Sequence, residues 1–177
     1  MTPTIWTVGH STRSLAELVA VLSAHRVDAV ADVRRFPGSR RHPQFSRDTL
    51  AAQLASHGIE YHWIERLGGR RAPRADSPND GWRVDGFRGY ADYIDSAEFE
   101  AGLAQLIAVA EARRTAYMCA ELLWWQCHRR LISDVLVARG WTVLHIATAD
   151  AASPHKLMPP ARLRDGKLSY AAEQLEL

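Results

Sequence analysis

Short β-branched apolar runs alternate with longer stretches of helical spacing, and this alternation leaves few folds open to the chain. Residues 5–8 form an apolar run ending in Gly9-His10-Ser11, and residues 27–33 form a second run ending at Asp32-Val33-Arg34. Between them Ser14-x-x-Glu17 has the form of a capping box, and Leu15, Leu18, Val19 and Leu22 fall on one helical face. Strand, helix, strand predicts a βαβ unit, because parallel strands must be joined by a crossover.

The pattern continues along the chain. Ser46 is placed to cap a helix carrying Leu50 and Leu54, with Gly58 as its stop, before a third strand at 59–64. Residues 68–89 are rich in Gly, Pro, Asp and Arg, a length of loop that predicts a lid or binding loop. Helical spacing over 90–113 leads to a fourth strand at 116–120. A helix through Leu131 and Leu136 ends at Gly140, and a fifth strand occupies 142–146. The expected architecture is a single-domain α/β fold: a mostly parallel, doubly wound sheet of about five strands with helices on both faces. Residues 1–150 are the expected core. Residues 151–177 are an expected tail, where Asp165-Gly166 signals a small hairpin.

Composition narrows the class. With 177 residues, 47% hydrophobic and 24% charged, the chain is long enough for a core of its own, and no apolar run reaches the roughly 18 residues that cross a bilayer. No membrane association is expected. The N-terminal residues carry no secretory pattern and there are only two cysteines, so a cytoplasmic location is expected. Net charge is +2, yet residues 34–74 hold nine arginines against three acids. That imbalance suits an anionic small molecule or a nucleic acid as partner, or a plain solvated surface. Oligomeric state cannot be read from these features.

In doubly wound sheets the ligand crevice lies beyond the carboxyl ends of the strands. Titratable groups cluster at those exits: His10 after the first strand, Asp32 after the second, Cys119 and Glu121 after the fourth, and Cys127 at the start of the following helix. These five are the candidate catalytic residues. Ser11, Arg34, Arg35, His128, Arg129 and Arg130 are the candidate phosphate-binding residues. Cys127, near a helix amino end and beside His128, Arg129 and Arg130, has the setting of a reactive thiol, although buried cysteines are also common. Asp32 and Glu121 suit acid–base roles, or ion pairing of Asp32 with Arg34 and of Glu121 with His10 or Arg129. No metal site or other cofactor is expected, because Cys127 and His128 are adjacent and would leave a helix about 100° apart. Trp63, Trp82, Trp124, Trp125 and Tyr90, interleaved with arginines, serve either as stacking surfaces for bases or as packing.

Thr7-Val8-Gly9-His10-Ser11, Ala31-Asp32-Val33-Arg34 with Pro37 and Ser39, Leu67-Gly68-Gly69, Phe87-x-x-Tyr90-Ala91-x-Tyr93, Met118-Cys119-Ala120-Glu121, and Cys127-His128-Arg129 followed by Gly140 and His145 form an ordered set. Together these motifs resemble the domain-of-unknown-function 488 family over roughly residues 5 to 150. The resemblance implies that the motifs belong to one site, and it implies no particular reaction. The link Leu122-Leu123-Trp124-Trp125-Gln126 departs from the polar, proline-containing link often found there in the family. A looser likeness to rhodanese and cysteine-phosphatase domains rests on the strand, Cys119, loop, arginine-led helix order, with a longer Cys119-to-Arg129 spacing than the phosphatase loop has. Two classes of function are therefore expected in competition. One is an enzyme acting on a phosphate-bearing substrate, with a rhodanese-like cysteine transferase as a variant. The other is a non-catalytic nucleic-acid-binding module.

Overall fold

The computed structural model describes residues 1–173; the last four residues of the expected tail lie outside the described residues. Its centre is a six-stranded sheet in the order β3-β2-β4-β1-β5-β6, built from β1 (Thr4–Gly9), β2 (Ala29–Asp32), β3 (Glu60–Trp63), β4 (Thr115–Cys119), β5 (Thr142–Thr148) and β6 (Ala151–Pro154). The first five strands are parallel, and β6 returns antiparallel to β5. The sheet thus has one strand more than the apolar runs announce.

Each strand splits its side chains between two cores, as a period of two requires. Trp6, Val8, Val30, Ala116 and Met118 face one side, under α1 (Leu15–Ala24) and α2 (Arg47–Ser56). Ile5, Ala31, Val33, Tyr117 and Cys119 face the other, under α3 (Asp85–Ile94), α4 (Ala97–Ala112) and α5 (Arg129–Ala138). The capping box of α1 is made in both directions, Glu17 N–H to Ser14 Oγ at 3.1 Å and Ser14 N–H to Glu17 Oε2 at 2.8 Å. Ser46 stands at the N-cap of α2, but its hydroxyl donates to Thr49 Oγ1 instead of capping. The single helix expected over 90–113 is two, because the chain breaks at Asp95 and restarts with Ser96 accepting from the Phe99 amide.

Beyond the sheet, β7 (Arg162–Arg164) and β8 (Lys167–Ser169) form the expected hairpin. Asp165 at φ 52 and Gly166 at φ 75 give the two positive φ angles that a two-residue turn of this hand needs.

The connections fix where a ligand can sit. The chain leaves β1 and β2 toward α1 and α2 on one face, but leaves β4 toward α5 on the other. Because β4 lies between β2 and β1, connections part to opposite faces on both of its sides, and the crevice opens over its carboxyl end.

Candidate functional site

Cys119 is the last residue of β4 and stands at the mouth of this crevice. A pocket of about 390 Å³ opens there, lined by Cys119, Cys127 and His128 at its buried end and by Arg35, Phe36 and Arg70 among others. Gly69, Val84, Phe87 and Glu121 are among the residues of its walls. Its volume is that of a small-molecule site.

The buried end is a compact cluster. Cys127 is extended (φ −134, ψ 153) and His128 is the N-cap of α5, so neither side chain leaves from within the helix. The angular argument against their convergence therefore does not apply. His128 Nδ1 lies 3.6 Å from Cys127 Sγ and 3.9 Å from Cys119 Sγ. His128 Nε2 is 2.8 Å from the Val33 carbonyl oxygen, which can only accept, so Nε2 carries the proton and Nδ1 presents its lone pair to the sulfurs. The Arg129 amide donates to Cys127 Sγ at 3.5 Å. Burial opposes ionisation of Cys127, but the hydrogen bond from Cys119, with the Arg129 cation beside it, holds its thiol well below the usual range. The same hydrogen bond, with burial, pushes the Cys119 thiol well above it.

His10 and Asp32 do not reach this pocket. They share the strand parity of Val8 and Val30 and fall on the α1–α2 side of the sheet. There Asp32 takes both oxygens into a bidentate pair with Arg34, Nε to Oδ1 at 2.9 Å and Nη2 to Oδ2 at 2.6 Å, and accepts the Tyr61 hydroxyl at 2.6 Å. His10 stacks on Phe45 with ring centroids 4.2 Å apart and donates Nδ1–H to the Ser11 carbonyl, while Nε2 faces Arg34 Nη1 at 3.3 Å. Burial, opposed in part by the Ser11 contact, lowers its pKa to about 4 and keeps it neutral. The pairing of Asp32 with Arg34 accounts for both residues without any reaction.

The candidate phosphate ligands divide in the same way. The Ser11 amide is spent on the Ala120 carbonyl. Arg34 lines the pocket, but Asp32, His10 and the Phe45 carbonyl occupy its guanidinium. Arg129 is buried and donates to Thr7 Oγ1 at 3.0 Å and to the Glu121 carbonyl at 2.5 Å, and Arg130 donates to the Met158 and Pro159 carbonyls. Arg35 remains available: it spends one bond on the Arg70 carbonyl and lies over Phe36. Arg70, outside the expected set, is exposed and also lies over Phe36, 5.9 Å from the ring centroid. Neither is paired with a carboxylate among the described residues. Glu121 is exposed at the pocket wall.

Two features escape a reading by strand ends. The Arg129 contact begins a buried relay in which Thr7 meets His145 Nδ1 at 2.9 Å, His145 Nε2 meets His155 Nδ1 at 2.9 Å, and His155 Nε2 meets Asp134 Oδ1 at 2.7 Å. Tyr170 donates to the other Asp134 oxygen, tying the C-terminal hairpin segment to α5. The second feature is Asp92, which accepts from the Arg74 amide, Ser77 Oγ and Asn79 Nδ2 and so pins the long loop that presents Gly69 and Arg70. A carboxylate placed among the apolar positions of α3 was the one available signal for it.

The tryptophans are largely engaged in packing. Trp63 donates to the Arg34 carbonyl, Trp82 is buried, and Trp124 stacks on His145 with ring centroids 4.2 Å apart; Trp125 is the exposed one of the five named aromatics.

Fold and site together define an α/β protein with a cysteine–histidine pocket at the switch point of its sheet. The family model for Domain of unknown function DUF488 matches residues 14–136, a span that contains this pocket's cysteines and histidine. The chain belongs to that family. No curated protein and no solved structure gives a match. Among the described residues no helix is long and apolar enough to cross a membrane.

Proposed function

We propose that the protein is an enzyme acting on a phosphate-bearing small molecule, of nucleotide size, bound in the pocket over β4. The observation that carries this reading is the coincidence, in one pocket, of two guanidinium groups without a carboxylate partner among the described residues and the Cys119–Cys127–His128 cluster. Arg35 and Arg70 bring positive charge that no carboxylate among the described residues neutralises, and guanidinium groups match phosphate oxygens bidentately. Phe36, Val84 and Phe87 give the walls an apolar surface for the rest of the ligand. The cluster then lies at the buried end, where water is scarce and charge effects are large. Glu121 is the carboxylate at the wall and the side chain placed to move a proton there.

A small ligand fits better than an extended nucleic-acid strand. Of the arginines between 34 and 74, Arg34 is bound to Asp32, Arg47 to Asp48, Arg66 to Glu98 and Arg74 to Asp76, while Arg71 lies over Tyr93. Four of the nine arginines in this tract are thus paired with carboxylates, and Arg35 and Arg70 gather at one pocket instead of along a strip.

Calorimetric titration with a nucleoside and its mono- and diphosphates tests the reading. Phosphate-dependent binding that Arg35→Ala with Arg70→Ala abolishes, and that Cys127→Ser retains without turnover, is expected. Equal affinity for nucleoside and nucleotides, or binding indifferent to the two arginines, overturns it.

A further inference from the structure

We propose that Cys119, Cys127 and His128 hold a zinc-type divalent ion through Sγ, Sγ and Nδ1, with the fourth position open to the pocket. The inference deepens the enzyme reading, and rests on it only for what the open position would meet.

The three donor atoms lie within 4.8 Å of one another, with sulfur-to-nitrogen separations of 3.6 and 3.9 Å. A tetrahedral zinc ion with Zn–S of about 2.3 Å and Zn–N of about 2.0–2.1 Å spans a sulfur-to-nitrogen edge of about 3.6 Å. The sulfur-to-nitrogen edges therefore change by only a few tenths of an ångström, and the two sulfurs, within 4.8 Å of each other, close by up to about 1 Å to the about 3.8 Å edge of the same tetrahedron.

The surroundings are those a metal ligand needs. The Val33 carbonyl fixes the His128 tautomer with its Nδ1 lone pair free, the usual arrangement in which a ligating histidine donates its other N–H to a carbonyl or carboxylate. The Arg129 amide donates to Cys127 Sγ. The Arg129 side chain is buried with only neutral oxygen partners, a cation in need of nearby negative charge, which two thiolates supply. Gly69 keeps the Nδ1 edge clear, because a Cβ there would lie 2.9 Å from that atom. Two sulfurs and one imidazole favour zinc over magnesium or calcium, which prefer oxygen.

A three-protein-ligand site with a vacancy differs from a closed structural site, and this one faces the pocket that Arg35 and Arg70 line. A water or a substrate oxygen completes the tetrahedron there, polarised by the ion.

The test is metal analysis of the full-length protein, followed by cobalt(II) titration of the metal-free form. One ion per chain is expected, with the ultraviolet thiolate-to-cobalt band and the intense visible bands of tetrahedral cobalt. Cys127→Ser and Cys119→Ser are expected each to weaken binding by more than the roughly 10- to 100-fold that losing an outer partner costs. Should a serine variant not fold, wild-type protein still decides: zinc is expected to protect both thiols from iodoacetamide. Absence of the cobalt bands, a spectrum unchanged by Cys127→Ser, or alkylation indifferent to zinc overturns the proposal. Arg35→Ala with Arg70→Ala is expected to keep the cobalt spectrum while losing phosphate binding, so the metal site and the anion site fail separately.

Discussion

Mild acid is expected to destabilise this protein before its carboxylates are titrated, because two buried imidazoles are held neutral. His10, stacked on Phe45 and facing Arg34, has its pKa lowered by burial to about 4. His145, enclosed by Trp124, Thr7 and His155, is lowered to about 2, by burial first and then by His155 and Arg129. Both are almost fully inaccessible, at 3% and 4% exposure, so solvent screening does not discount the effect. In the unfolded chain each returns to 6.5. Depressed histidines bind protons in the unfolded state first, so stability is present above about pH 6.5 and is lost as pH falls toward the folded values. At pH 5 an unfolded imidazole is about 97% protonated while His10 is about 9% protonated, which costs about 2 kcal/mol for each histidine relative to neutral pH. The two together amount to about 4 kcal/mol, a large share of the 5–15 kcal/mol typical of a domain. Urea unfolding followed by tryptophan fluorescence, repeated from pH 7 to pH 5, measures it. His145→Gln is expected to lower stability at neutral pH yet to remove about half of the pH slope. A flat profile between pH 7 and pH 5, or a His145→Gln slope equal to that of the wild type, refutes the reasoning.

Three further substitutions probe the framework around the pocket. Asp32→Asn leaves the Arg34 charge buried without its partner and is expected to cost about 3–5 kcal/mol in thermal or urea unfolding, whereas a mainly catalytic Asp32 would lose turnover with stability intact. Gly9→Ala places a Cβ against the Glu121 carbonyl oxygen and the Leu122 backbone, so it is expected to destabilise by about 1–3 kcal/mol; an unchanged unfolding midpoint contradicts the close approach. Asp92→Ala removes three hydrogen bonds from the loop after Gly69, and new tryptic cleavage at Arg70, Arg71, Arg74 or Arg83 in otherwise folded protein is the expected sign.

Apolar runs and caps made the five parallel strands and α1 legible, because those signals are local. The sixth strand was not: Ala151, Ala152, Ser153 and Pro154 are exposed, and only pairing with β5 makes them a strand. The break at Asp95 was hidden because apolar spacing carries across it from α3 into α4. For the candidate residues, proximity to strand ends tells which stand at the carboxyl edge of the sheet but not which share a pocket. His10, Asp32 and Cys119 all stand where strands leave the core, yet a sheet has two faces there and a side chain can serve only one. Counting back by twos from Asp32 reaches Val30, and from His10 reaches Val8 and Trp6, all under α1 and α2; from Cys119 it reaches Tyr117, under α5. Parity alone therefore separates neutral His10 and the self-neutralising Asp32–Arg34 pair from the sulfurs, which meet His128. What parity cannot supply is the path of residues 120–128, and it is the extended backbone at Cys127 that turns two adjacent residues toward one point. The shape of the pocket thus depends on a loop conformation held by the Arg129 bonds to the Glu121 and Leu122 carbonyls, so the buried arginine acts as a clasp for that loop.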